Sequence, residues 1–319
     1  MISRSYTFLI AALIAAPGVS LSADFPSQPI KMVVPYSAGG STDAAARILA
    51  EGMSKQLSQP VVVENKPGAG GLIGTMAVKN APADGYTLLI TSASHIVNKI
   101  LQPELKYEIE ADFVPLSQIT QLPIVLVVSK DHSAQTIGEL IKVAKSSPGK
   151  INFGTAGVGT IQHVSAMQFL QKADIKATHV PYKGGAAAVT DVIGGQIDFT
   201  FAPLVEVLGY IESGRLRALG VTTTERSLTL PNVPTLAETL SGYESFHWNG
   251  FVVRKGTAPG IVLTLSNALV RATKDPAVIE RLRAQGTEAK GEGPEALAAL
   301  MSAEKVRLTP LLKTEAAPN

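Results

Sequence analysis

One short stretch constrains this chain more than any other. Val34-Pro35-Tyr36-Ser37-Ala38-Gly39-Gly40-Ser41-Thr42-Asp43 follows an apolar run at 30–34 and leads into 44–57. There Ala46, Leu49, Ala50, Met53 and Leu57 fall at the spacing that makes one face of a helix apolar. Strand, glycine turn and helix is the unit of an α/β sheet, and its turn is a ready-made anion site. Gly39 and Gly40 let the backbone approach a ligand, and Ser41 and Thr42 offer hydroxyls. The first N–H groups of the helix, which have no partner inside it, point beyond the strand end. A second turn, Val180-Pro181-Tyr182-Lys183-Gly184-Gly185, repeats the Val-Pro-Tyr rhythm before another small-residue helical stretch, so two such turns can face one ligand.

The rest of the chain repeats the unit. Residues 61–63 read as a second strand, closed by Glu64-Asn65-Lys66-Pro67-Gly68-Ala69-Gly70-Gly71, and 72–78 as a helix. Pro82-Ala83-Asp84-Gly85 is a turn, and a strand at 87–91 ends in Ser92-Ala93-Ser94-His95 before another helical segment. Such alternation predicts a parallel sheet with its ligand sites outside the carboxyl ends of the strands. Residues 113–129 break the pattern: two apolar runs, interrupted by Gln118, Gln121 and Pro123 with no helix between them, read as a crossing between lobes.

A second α/β series follows. Helices are expected at 137–144, 161–170, 186–193 and 204–211, and strands at 151–153, 179–182, 197–201 and 217–222. Its turns are Gly154-Thr155-Ala156-Gly157-Val158-Gly159-Thr160 and Ala202-Pro203. The apolar, aromatic-containing run 246–253 carries the chain back, and helical patterns at 261–273, 277–285 and 295–312 should pack on the first lobe. Two crossings make a hinge. The expected division is 24–124 plus 248–319 for lobe I and 125–247 for lobe II, a two-lobed α/β architecture.

Residues 1–23 contain one charge, Arg4, then an apolar run and Leu21-Ser22-Ala23 before Asp24, which reads as a secretory signal peptide cleaved near Ala23. Its apolar run falls short of the about 20 residues that span a bilayer, and no later stretch approaches that length. The chain has no cysteine, which excludes disulfides, a thiol nucleophile and a lipid-anchoring cysteine. An unanchored periplasmic protein fits. With 28 basic and 26 acidic residues and no basic run, nucleic acid is not an expected partner.

The glycine turns invite a nucleotide reading that fails on spacing. Gly68-Ala69-Gly70-Gly71-Leu72-Ile73 and Gly157-Val158-Gly159-Thr160-Ile161-Gln162 lack the third glycine of G-x-G-x-x-G, and no lysine follows in phosphate-loop register. An enzyme reading lacks a centre: there is no G-x-S-x-G elbow and no H-E-x-x-H, and His95, His132, His163, His179 and His247 are scattered without ligand spacing. A secreted α/β hydrolase with a site assembled only in space stays as an alternative. His95 and His163 follow small-residue turns and either meet a ligand or close a helix end. Asp43 either contacts a ligand or, two residues into a helix, stabilises its dipole by about 0.3–1 kcal/mol. Lys183 is either a counter-ion or an exposed turn residue, while the matched positions of Tyr36 and Tyr182 favour a pocket wall. Hydrogen bonds to a charged group contribute roughly 1.5–3 kcal/mol each, so several donors from these turns suffice to hold a small acid without an arginine.

At this level of detail the chain resembles the periplasmic solute-binding receptors of tripartite tricarboxylate transporters, the Bordetella uptake gene family. The resemblance is carried by Pro26-Ser27-Gln28-Pro29-Ile30, by the stretches 34–43 and 64–71, by Ala81-Pro82-Ala83-Asp84-Gly85-Tyr86-Thr87-Leu88, and by 154–160 with His163. Val180-Pro181-Tyr182-Lys183-Gly184, Leu230-Pro231-Asn232-Val233-Pro234-Thr235 and Trp248-Asn249-Gly250 continue it. It implies a type II-like clamshell that closes over a small carboxylate held by amides, hydroxyls and waters. The expected binding residues are then Tyr36 to Asp43 (Tyr36, Ser37, Ala38, Gly39, Gly40, Ser41, Thr42, Asp43), Ser92, Ala93 and Ser94, with Thr155, Ala156, Gly157, Gly159, Thr160, His163, Tyr182, Lys183, Gly184 and Ala202 across the hinge. The implied partners are the ligand and integral-membrane transporter subunits, with no catalysis, no cofactor and no metal, and the chain acting as a monomer. A receptor that signals to a sensor kinase is the alternative. Tyr36 stands where the family usually has phenylalanine, which puts a hydroxyl at the pocket wall.

Overall fold

The computed structural model describes residues 25–182 and 184–313. The leader expected at 1–23 and Lys183 lie outside the described residues. The first series runs β1 (Ile30–Val34), α1 (Ser41–Leu57), β2 (Val61–Asn65), α2 (Leu72–Lys79), β3 (Thr87–Ser92) and α3 (Ala93–Leu101). One helical turn, α4 (Ile109–Asp112), precedes β4 (Phe113–Ser129). The second series is α5 (Ile137–Ser146), β5 (Asn152–Thr155), α6 (Ile161–Ala173), β6 (Thr178–Pro181), α7 (Gly185–Ile193), β7 (Phe199–Pro203), α8 (Leu204–Glu212) and β8 (Leu216–Val221). β9 (Phe246–Arg254) returns, and α9 (Pro259–Thr273), α10 (Pro276–Arg283), β10 (Glu288–Glu292) and α11 (Pro294–Lys313) complete the chain.

Parallel pairing joins β2, β1 and β3, and also β6, β5 and β7. The crossing strands differ from the all-parallel expectation. β9 runs antiparallel to β3 and β4, and β7, β8 and β10 run antiparallel to β4. β4, reached from β3 through α3 and α4, keeps the direction of β3, and β9, returning from the second lobe, is inserted between them in the opposite direction.

β4 is one strand of 17 residues rather than two runs. Its positions 113–123 pair with β9 and its positions 124–129 with β7 and β8. The change of partner falls at Pro123, which has no N–H for a ladder and stands opposite Phe246 at the start of β9. Beside it, the buried Thr222 hydroxyl donates to the Ile124 carbonyl at 3.0 Å, and the Ser245 N–H donates to the Thr222 carbonyl at 3.0 Å. Ser245 and Ser165 are joined through their hydroxyls at 2.7 Å. The hinge region is thus buried and hydrogen-bonded.

Each lobe is a sheet between two helix layers, and strand alternation assigns the faces. In lobe I, Met32, Leu88 and Ile90 pack on Leu49 and Met53 of α1 and Leu265 and Leu269 of α9, while Val33 and Leu89 pack on Ile96 of α3 and Leu297 and Met301 of α11. In lobe II, Ile124, Leu126 and Val128 face Leu140 of α5 and Phe169 of α6. Val125 and Val127, on the other face, meet Val189 and Val192 of α7 and Val207 of α8.

The tail helices pack on lobe I with one addition. Leu308, Leu311 and Leu312 at the end of α11 share a cluster with Val164 of α6. Arg307 donates from Nη1 to Gln168 Oε1 at 3.0 Å and to the Glu244 carbonyl at 2.9 Å. α11 therefore straddles both lobes.

Candidate functional site

The end of β1 opens into the first turn, and the shape of that turn comes from Asp43. Its Oδ2 accepts from the Gly39 N–H at 2.9 Å and from Arg47 Nε at 3.0 Å, and its Oδ1 accepts from Asn65 Nδ2 at 2.8 Å. Asn65 Nδ2 also reaches the Tyr36 carbonyl at 3.2 Å. Burial raises the Asp43 pKa, but the bonds from Arg47, Gly39 and Asn65 outweigh it and hold the carboxyl below its ordinary range. Of its two readings, the structural one describes what this carboxylate does here: it is buried and turned into the loop.

The same network leaves the helix start open. The first intrahelical bond of α1 runs from Ala44 N–H to the Gly40 carbonyl at 2.9 Å, and no side chain caps Gly40. The N–H groups of Ser41, Thr42 and Asp43 therefore have no partner within the helix. Ser37 to Ser41 are exposed.

This helix start faces a cavity of about 230 Å³ between the lobes. Lobe I supplies Tyr36, Ser41, Thr42 and Ser94. Across from them stand Ile161 and Gln162 of α6, Pro203 at the end of β7 and Glu206 of α8, while Leu122 of β4 and His247 of β9 close the hinge side. Tyr36 Oη lies 3.2 Å from Ser92 Oγ, and burial raises its pKa against the opposing effect of Ser92 and Ser94, so it stays a neutral phenol. Thr42 Oγ1 donates to Asn249 Oδ1 at 3.2 Å, which leaves its lone pairs and backbone N–H for other use.

The second turn of lobe I points differently. Ser92 precedes α3, and its N–H donates to His95 Nδ1 at 3.3 Å, while His95 Nε2 meets Thr75 Oγ1 at 3.0 Å. His95 thus closes a helix end, as one of its two readings held, and Ser94 is the residue that reaches the cavity. Ala93 and Ser94 also line a second small void with Val97, Gly159, Ile161, Val164, His247 and Leu308. There a Cβ on Gly159 would stand 3.2 Å from Leu101 and 3.3 Å from Val97, so the two lobes touch at the inner end of the cleft.

In lobe II the Thr155 to Thr160 loop is braced by its own bonds. Thr155 Oγ1 meets His179 Nε2 at 2.7 Å, Gly157 N–H donates to Thr155 Oγ1 at 3.1 Å, and Thr160 Oγ1 donates to the Gly157 carbonyl at 2.7 Å. Thr160 caps α6, and the Gly159 N–H donates to His163 Nδ1 at 3.3 Å. His163 is fully buried and stacks on His179 with ring centres 4.6 Å apart. Thr155, Ala156, Gly157, Thr160 and His163 therefore shape the loop from outside the cavity lining, and Ile161 and Gln162 just beyond it do the lining.

The matched tyrosines part company. Tyr36 lines the cavity, whereas Tyr182 donates from Oη to Asp191 Oδ2 at 2.6 Å, and burial together with that carboxylate pushes its pKa up to about 12. Gly184 precedes α7, and Ala202 is buried in β7 one residue before Pro203. The lining residues that local reading passes over are Leu122, Ile161, Gln162, Pro203, Glu206 and His247. Gln162, Pro203 and Glu206 do carry a signal, since each follows a strand end directly or by a few residues. Burial drives the His247 pKa down to about 4, against a weaker raising effect from Asn249, and its buried Nε2 has no hydrogen-bond partner among the described residues. It presents a neutral ring to the cleft.

Chemically, the described lining of the cleft is rich in neutral donors on the lobe I side and holds one carboxylate, Glu206, on the other. Among the described residues no cluster of His, Asp and Glu is placed to hold a metal ion, and no helix is long and apolar enough to cross a membrane.

A family model described as the tripartite tricarboxylate transporter family receptor matches residues 45–316. Protein BugT of Bordetella pertussis is 39% identical over 285 residues, which cover 88% of this chain and 86% of that protein. A TctC solute binding protein from Polaromonas, solved without ligand, is 30% identical with a TM-score of 0.82, covering 91% of this chain and 99% of the other. R. palustris Rpa4515, solved with adipate, is 31% identical with a TM-score of 0.78, covering 91% of this chain and 98% of the other.

Proposed function

Because the chain belongs to the tripartite tricarboxylate transporter receptor family, we propose that it captures a small carboxylate between its two lobes and hands it to membrane transporter subunits made by other chains. The observation that carries this reading is the open start of α1. Three backbone N–H groups without helical partners, flanked by the hydroxyls of Ser41, Thr42 and Ser94, face a cavity that both lobes line. Anions are stabilised at such a helix start by the N–H groups and by the dipole together. The adipate bound by Rpa4515 is an acid of the expected size class.

The working parts follow. Lobe I comprises 24–124 and 248–319, lobe II comprises 125–247, and β4 and β9 carry the two crossings. Tyr36 to Ser41, Thr42 and Ser94 form the first jaw, while Gln162, Pro203 and the Gly184 turn form the second. A leader cleaved near Ala23 delivers the chain to the periplasm, where it works as a monomer and breaks no bond. Ligand that bridges both jaws shifts an open–closed equilibrium toward the closed form, which the membrane subunits recognise.

The test is thermal shift across mono-, di- and tricarboxylates, amino acids and aromatic acids, since a ligand that binds only the folded state raises Tm. At least one acid should raise it by several degrees. Gly39 sits at φ +89° with its N–H on Asp43, so Gly39→Val forces a β-branched residue into the left-handed region at about 1–2 kcal/mol and deforms the turn. It should fold and lose the shift. No response to any acid, together with turnover of an ester or amide, would replace the receptor with the hydrolase reading.

A further inference from the structure

Among the described residues Glu206 is the only acidic side chain in the lining of the cleft. It stands in the first turn of α8, on the lobe opposite the open start of α1. Its Oε2 lies 2.6 Å from the point that a Cβ on Gly185 would occupy, and Gln162 Nε2 lies 3.1 Å from the same point. The carboxylate therefore hangs over the first residue of α7, where the second jaw would otherwise be bare glycine backbone. No hydrogen bond or ion pair joins it to a described residue. A carboxylate in a first helical turn also stabilises the helix dipole. That accounts for an acid at this point of α8 but not for its facing the ligand cavity.

We propose that Glu206 makes this cleft select carboxylates whose far end carries an ammonium or other N–H donor, and makes it turn away dicarboxylates of the same length. The two ends of the cavity have opposite chemistry. Ser41, Thr42 and the start of α1 donate, so they take the carboxylate, and Glu206 accepts, so it takes the donor. A ligand with both groups ties lobe I to lobe II. A dicarboxylate sets its second anion against a protein carboxylate, and closure of the lobes over the pair removes the water that would screen their repulsion. Partial burial against the cleft wall raises the Glu206 pKa. This inference rests on the carboxylate-receptor reading and narrows its substrate class.

The test is titration calorimetry on the mature protein with length-matched pairs: succinate and 4-aminobutanoate, glutarate and 5-aminopentanoate, adipate and 6-aminohexanoate. In at least one pair the aminocarboxylate should bind at least tenfold more tightly than its dicarboxylate. Glu206→Gln should cut that ratio at least tenfold, and Glu206→Ala should do the same, with Tm changed little because the side chain is exposed to the cleft. Dicarboxylates that bind as tightly as their partners in all three pairs overturn the proposal and leave the receptor reading standing, as does a ratio that survives both substitutions. If no acid of either kind binds while the protein is folded, the proposal and the receptor reading fall together.

Discussion

At the scale of single residues, the site is governed by who is already occupied. Asp43 carries a charge in the loop yet spends both oxygens on Gly39, Arg47 and Asn65, and its effect on a ligand passes through the N–H groups it leaves pointing outward. His95 is the parallel case in α3. Burial drives its pKa down to about 4, while an unfolded histidine takes up its proton near pH 6.5. The unfolded chain thus binds more protons between these values, so the contribution of His95 to stability is complete above pH 6.5 and is lost as pH falls toward 4. Urea midpoints measured from pH 7 to pH 4 should fall in the wild type, and His95→Gln should show a shallower fall after subtraction of its lower baseline. An equal slope would place the titrating group elsewhere. The turn proposed to bind the anion is legible because its glycines, hydroxyls and helix start are neighbours in sequence. Glu206 and His247 are not, because they enter the cleft from α8 and β9 through packing that no local pattern records.

At the scale of elements, α2 shows how a helix holds the turn from beneath. A Cβ on Gly74 would stand 2.8 Å from the Cα and Cβ of Pro35 and 3.0 Å from the Lys66 carbonyl. Backbone on both sides cannot step aside as a side-chain tip can, so Gly74→Ala should destabilise the fold by about 1–3 kcal/mol and displace Pro35, Tyr36 and the loop that follows. Thermal unfolding with calorimetry on the best-binding acid checks it; a variant with native Tm and affinity would show that α2 yields. The strand–turn–helix series could be read from periodicity alone, since both periods, two and 3.6, are local. β10 could not, because Glu288-Ala289-Lys290-Gly291-Glu292 is polar and lies at an edge, where only pairing with β4 defines a strand. Nor could the reversed direction of β9 between β3 and β4, which depends on where the returning strand enters the sheet.

At the scale of the whole molecule, the cleft, the hinge and α11 act together. The lobes are joined at β4 and β9, touch at Gly159, and are bridged by the end of α11 through Leu308 and Arg307. In the proposed cycle, closure would have to bend the hydrogen-bonded region around Pro123 and Ser245 and carry the contacts of α11 with it. Small-angle scattering should show a smaller radius of gyration on addition of a binding acid and no change with a non-binding one; an unchanged radius would mean that capture does not close the lobes. β4 has one more consequence, for the order in which the molecule is assembled. β9 lies between β3 and β4 in the finished sheet, so lobe I keeps an unfilled slot until the chain has passed through all of lobe II and returned. Lobe II, built from one continuous stretch plus the far half of β4, has no such wait. The second lobe is then the part able to form first, and the amino-terminal half, exposed until its missing strand arrives, stays threadable for as long as the chain is still being made or moved.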